Sequence, residues 1–126
     1  MLKLMVIGLG GFLGAVARYS LSGLVHRLSR TSFPAGTLTV NVVGCLLIGG
    51  LMCLLEQRQM FSPTTRLFLL VGLLGSFTTF STVGYETFEF FRASDFQMAT
   101  LNVAVNVLLG LAAVMLGWVA VRAIGV

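Results

Sequence analysis

The chain has 126 residues, 57% of them hydrophobic and only 10% charged, a balance that excludes an ordinary soluble domain, in which about a quarter of residues are charged. Its formal charge of +4 would suit a nucleic-acid partner in a soluble protein, but most of the bases sit at the ends of apolar runs, where lipid headgroups and snorkelling account for them. No nucleic-acid partner is expected, and the lack of a metal-ligand cluster, nucleophile–base pair or phosphate loop argues against an enzyme.

A membrane-spanning helix needs about 20 mostly apolar residues. Four such runs cover residues 2–24, 37–55, 65–91 and 98–124, joined by the short segments "HRLSRTSFPAG", "EQRQMFSP" and "RASDFQ". They predict an all-α integral membrane protein with one four-helix transmembrane domain per subunit.

The first run opens "MLKLMVIGLGGFLGAVA", which imitates a secretory signal peptide with an Ala-x-Ala ending at Ala17. The expectation is instead a spanning helix, because apolar character continues past Arg18 into "YSLSGLV" and Gly10, Gly11 and Gly14 supply a small face for packing. Arg18, one turn after Gly14, either snorkels to the interface or faces a vestibule that attracts anions.

On the second run Thr37 and Asn41 share a helical face. Cys45 and Cys53, eight positions apart, lie about 12 Å from each other along one helix. That is too far for a disulfide, so two small buried hydrophobes are expected.

The third run ends "GSFTTFSTVGYETFEFF", Gly75 to Phe91. Gly75, Ser76, Thr78, Thr79, Ser81 and Thr82 are poor helix-interior residues, because glycine loses backbone entropy and hydroxyls compete for backbone partners. A break near the middle of this helix is predicted. Broken backbone survives in a bilayer only where it is buried or lines a cavity, and its freed carbonyl oxygens can hold a small cation. Helical spacing then predicts two stripes, Phe80, Gly84, Phe88 and Phe91 on one and Thr78, Thr82, Glu86 and Glu89 on the other. A phenylalanine ring has a positive edge, so an aromatic stripe can accept an anion without trapping it.

The fourth run places Asn102, Asn106 and Gly110 at helical spacing. A lone membrane asparagine is ordinary interhelical glue, but three of them beside a hydroxyl-rich helix point to a lined path.

Orientation follows from the bases. Lys3, Arg58, Arg66 and Arg122 fall on one side, and Arg27, Arg30 and Arg92 on the other. Four against three is almost no bias under the positive-inside rule. An antiparallel dual-topology homodimer is therefore expected, the alternative being one orientation with an accidental balance.

With these residues in view, the chain resembles the Fluc (CrcB-type) fluoride channel family. The likeness runs along the whole chain and rests on "GAVAR" in the first run, "GTLTVNVVG" opening the second and "GSFTTFSTV" in the third. It implies a dual-topology homodimer in the plasma membrane, the inner membrane of a bacterium, with two fluoride pathways flanking a central sodium ion. Phe80 would then turn its ring edge to fluoride and Asn41 would donate an amide hydrogen bond beside it. Ser81, Thr82 and Glu86 match the family's polar track, Arg18 its vestibule base, and Thr37 and Asn106 complete the pathway. Gly75 and Thr78 would hold sodium through main-chain oxygens, two from each subunit. Two positions depart from the family pattern: Val83 stands where a second phenylalanine is usual, and Gly110 where a serine is often found.

Two other classes fit the length and helix count. A small dual-topology antiporter for cationic drugs needs a carboxylate in the membrane, typically on the first helix, where this chain has Arg18 and no acid; Glu86 is the substitute. A structural subunit without transport would use its polar residues only to pair helices.

Overall fold

The computed structural model describes residues 1–58 and 61–125. Gln59 and Met60 of the second connection, and the side chain of Arg58 counted in the charge balance, lie outside the described residues. Four helical stretches are long and apolar enough to cross a membrane: Leu2–Ser29, Ala35–Glu56, Pro63–Arg92 and Phe96–Ala123.

Helix α1, Leu2–Ser29, passes through Ala17 and Arg18 without interruption. It extends beyond Leu24 by a turn carrying His26 and Arg27, which are favoured at the negative end of a helix. Arg30 then adopts left-handed backbone at φ 44° and ends it. Helix α2 spans Ala35–Arg58. The third span opens with α3, Pro63–Arg66, where Ser62 Oγ accepts from the Thr65 N–H and Pro63 occupies a position that needs no donor. Helix α6, Phe96–Ala123, is capped by Asp95, whose carboxylate accepts from the Met98 N–H at 3.0 Å.

After α3 the third span widens into a π-helical stretch, Leu67–Leu74, and tightens again in α4, Gly75–Phe77. Thr78 (φ −82°, ψ 158°) and Thr79 (φ −152°, ψ 116°) are extended. Helix α5, Phe80–Arg92, completes the span. The hydroxyls explain this locally. Thr78 Oγ1 donates to the Leu74 carbonyl at 3.0 Å, and Thr79 Oγ1 accepts from the Thr82 N–H at 3.3 Å as the cap of α5. Side chains thus take over bonds that a continuous helix would make from its backbone.

The helices meet through glycine, as expected where lipid gives little hydrophobic reason for association and backbones must approach closely. A Cβ on Gly117 of α6 would lie 2.1 Å from the Leu46 carbonyl oxygen of α2. One on Gly14 of α1 would lie 2.1 Å from the Leu73 carbonyl oxygen, so the π-helical stretch rests against the α1 backbone. Between them Val40, Leu74 and Phe77 form the buried apolar centre. Gly14→Ala is accordingly expected to lower stability by about 1–3 kcal/mol, the usual cost of overpacking. Thermal unfolding in detergent checks this, and an unchanged midpoint would mean that the two backbones are not so close.

Candidate functional site

Extended backbone inside a helical protein leaves an N–H that its own helix cannot pair, and leaving it buried and unpaired is costly. Asn41 of α2 bonds both backbone groups of Thr79, the N–H and the carbonyl that also opens α5. Its Oδ1 accepts from the Thr79 N–H at 2.9 Å, and its Nδ2 donates to the Thr79 carbonyl at 3.1 Å. A single side-chain amide does what a neighbouring strand would do.

Two N–H groups are thereby diverted. A continuous helix would direct the Thr79 N–H to the Gly75 carbonyl and the Thr82 N–H to the Thr78 carbonyl. Here the first goes to Asn41 and the second to the Thr79 hydroxyl. The C-terminal carbonyls of α4 and the N-terminal N–H groups of α5 therefore sit next to each other in the middle of a span. One end carries partial negative charge and the other partial positive charge.

The extended pair separates two cavities, each of about 670 Å³. The first is an apolar groove whose polar points include Gly75, Thr78, Thr79, Thr87, Asn41 and Asn106, with Phe80, Phe88 and Phe91 along it. The second is more polar and includes Arg18, His26, Thr37, Thr79, Thr82 and Glu86. Thr79 lines both.

The expected site residues divide between these spaces. Phe80 projects at the groove with 84% of its surface exposed, so the described residues of the subunit cover little of its ring. Thr37, Thr82, Glu86 and Arg18 gather at the second cavity. Thr37 Oγ1 donates to Glu86 Oε1, while Glu86 Oε2 is buried without a hydrogen-bond partner among the described residues. Arg18 has no ion-pair partner among the described residues. Ser81 lines neither space but reaches the Thr79 hydroxyl at 3.2 Å. Asn106 lines the groove and accepts through Oδ1 from Asn41 Nδ2 at 3.2 Å.

One stripe expected from helical spacing is not continuous. Thr78 faces the groove, Thr82 and Glu86 face the second cavity, and Glu89 pairs with Arg92 at 3.0 Å instead. The two extended residues rotate α5 relative to α4, so spacing counted across them does not hold. The departures from the family pattern also have places. Val83 is buried, and its carbonyl accepts from Thr87 Oγ1 at 2.7 Å. Gly110 is buried in the α2–α6 contact, where an added Cβ would lie 3.4 Å from Cys45 Sγ. No disulfide joins Cys45 and Cys53.

Thr79 is the residue that reading the sequence missed as a site residue. Its signal was the adjacent pair Thr78–Thr79, in which the second hydroxyl is placed to cap whatever helix follows.

A family model described as "CrcB-like protein, Camphor Resistance (CrcB)" matches residues 5–118. The chain is 48% identical to "Fluoride-specific ion channel FluC 1" of Methanosarcina acetivorans, over 93% of this chain and 88% of that protein. It is 42% identical to "Fluoride-specific ion channel FluC 3" of Methanosarcina barkeri, over the same shares. It is 45% identical to "Fluoride-specific ion channel FluC" of Hydrogenovibrio crunogenus, over 92% of this chain and 88% of that protein. With four apolar spans and matches that run along nearly all of its length, the chain is a multi-pass membrane protein that belongs to the CrcB family.

Proposed function

We propose that the chain is a fluoride-selective channel that lets fluoride leave the cytoplasm passively through a dual-topology homodimer in the plasma membrane. The observation that carries this reading is the extended Thr78–Thr79 pair held by Asn41 between two cavities. It sets a helix N-terminus, which favours an anion, beside hydroxyls and an exposed aromatic edge at the middle of a span.

Fluoride is small and holds its hydration shell tightly, so a narrow route must replace lost water with directed donors. The unpaired Arg18 draws anions to the second cavity. The Thr82, Thr79 and Ser81 hydroxyls, joined to one another at 3.0 and 3.2 Å, lead to Thr79 and to Phe80 beyond it. Asn41 and Asn106 stand beside the crossing point. Glu86 keeps its carboxyl engaged with Thr37 at the vestibule wall.

The groove supports a second copy. Phe80, exposed in the isolated subunit, lies beside the exposed Gly75, and four helices enclose too little for a pathway alone. An inverted partner would cover the groove and repeat it, giving two routes. The carbonyls of Gly75 and Thr78, both relieved of helical partners, suit a central sodium ion, because hard oxygen donors match a hard cation. Two oxygens from one subunit do not satisfy such an ion, and two more from the partner would. Bound there, sodium would tie the two subunits together.

The cation-antiporter reading lacks an acid on α1, and the relatives named above are all called fluoride-specific channels. Expression in a fluoride-sensitive strain that lacks its own fluoride exporter tests the function. Growth in millimolar fluoride should be restored. Growth arrest with the protein present in the membrane would refute the reading.

A further inference from the structure

Three asparagines and one threonine form a chain of side chains from the buried α5–α6 contact to the extended pair. Asn102 of α6 has no exposed surface and touches neither cavity. Its Nδ2 donates to Thr87 Oγ1 at 3.0 Å and to the Val83 carbonyl at 3.4 Å. Its Oδ1 and its own carbonyl accept from Asn106 Nδ2 at 3.1 and 2.9 Å. Asn106 Oδ1 accepts from Asn41 Nδ2 at 3.2 Å, and Asn41 closes on Thr79.

A side-chain amide can be turned over without changing its shape, so its neighbours decide which end faces where. Here the direction is dictated from the buried end. The Val83 and Asn102 carbonyls can only accept, so the Asn102 and Asn106 NH2 groups must face them. The oxygen of Asn106 is then left facing Asn41, which must present its own NH2 there and its Oδ1 to the Thr79 N–H. Both Asn41 amide hydrogens are thereby engaged, one by Asn106 and one by the Thr79 carbonyl. Interhelical bonds of this kind are weak singly, so what the chain of amides contributes is direction rather than stability.

We propose that Asn102, acting through Asn106, is a positioning residue that fixes the amide orientation of Asn41 and so keeps Thr79 extended beside Phe80. This rests on the fluoride-channel reading for its consequence in transport, but not for its effect on Thr79.

Two readouts on the reconstituted full chain separate those dependences: fluoride efflux from liposomes, and deuterium exchange at the Thr79 backbone N–H in detergent. Asn102→Leu, close in size and without an amide, should slow efflux about tenfold or more, because a small misplacement at a site is costly. It should also speed Thr79 exchange while exchange in α1 and α2 stays as in the parent. Asn106→Leu should behave alike, and the double variant should be no slower than the slower single, where independent sites would multiply their losses. If the leucine variants do not fold, Thr87→Val should be slower than Thr87→Ser, which restores the hydroxyl that anchors Asn102. Parent-like efflux in folded Asn102→Leu, multiplied losses in the double variant, or lost efflux with unchanged Thr79 exchange would each overturn the proposal. If the parent itself passes no fluoride, the channel reading fails, and Thr79 exchange alone decides the role of Asn102.

Discussion

Phe80→Ile is expected to slow fluoride efflux through the reconstituted chain by about 100-fold, the usual cost of removing one preorganised group that faces a charge. The substitution keeps an apolar side chain but removes the ring and its positive edge. Phe80 is 84% exposed and lines the groove rather than the subunit core, so its loss should leave folding of the subunit unchanged. Efflux is read with a fluoride electrode, and thermal unfolding is read in parallel. Near-parental efflux would mean that the anion does not pass the ring edge, and that Phe80 serves only to pack one subunit on another.

The second large effect is expected at Asn41→Asp. The carboxylate keeps an acceptor for the Thr79 N–H, but it loses both donations, to the Thr79 carbonyl and to Asn106 Oδ1. Oxygen then faces oxygen at two places, and a negative charge stands where an anion has to cross. Efflux should fall below detection, and the two unsatisfied contacts should cost about 1–3 kcal/mol each in stability. If efflux persists at a measurable rate, Asn41 does not stand beside the conducting route. The Phe80 and Asn41 variants thus probe different things: the first removes a surface that faces the ion, and the second removes the clamp that shapes the backbone behind it.

Much of this architecture was legible in the residues. Apolar runs of spanning length, interrupted by Arg27, Arg30 and Pro34, by Glu56, Arg58 and Pro63, and by Arg92 and Asp95, mark the four helices because a bilayer demands that a span pair its own backbone groups. The hydroxyl-rich "GSFTTFSTV" carries Thr78 and Thr79, whose backbone is extended. Three asparagines pointed to a lined path; Asn41 and Asn106 line the groove, whereas Asn102 is buried, lines neither cavity and bonds to Asn106.

Other features were not legible, for physical reasons. The pairing of Asn41 with Thr79 joins residues 38 positions apart, and spacing within one helix carries no trace of it. The split of the polar stripe between two cavities depends on how far the extended pair turns α5, a quantity set by Asn41 from another helix. Glu89 was grouped with Glu86 because both lie on one helical face, yet Arg92, three residues on, is within reach and takes it. The π-helical stretch Leu67–Leu74 reads in sequence as an ordinary apolar helix. Its widened turn is matched to the bare backbone of Gly10 and Gly14 opposite.

The central claim is that donor groups around a mid-span extended segment replace the water of a small anion and of nothing larger. Liposomes carrying the purified chain and loaded with equal fluoride and chloride test it directly, with efflux started by a potassium ionophore and both anions followed by electrode. The account predicts rapid release of fluoride with chloride retained. Release of both anions together, or of neither while the protein is folded in the bilayer, would contradict it.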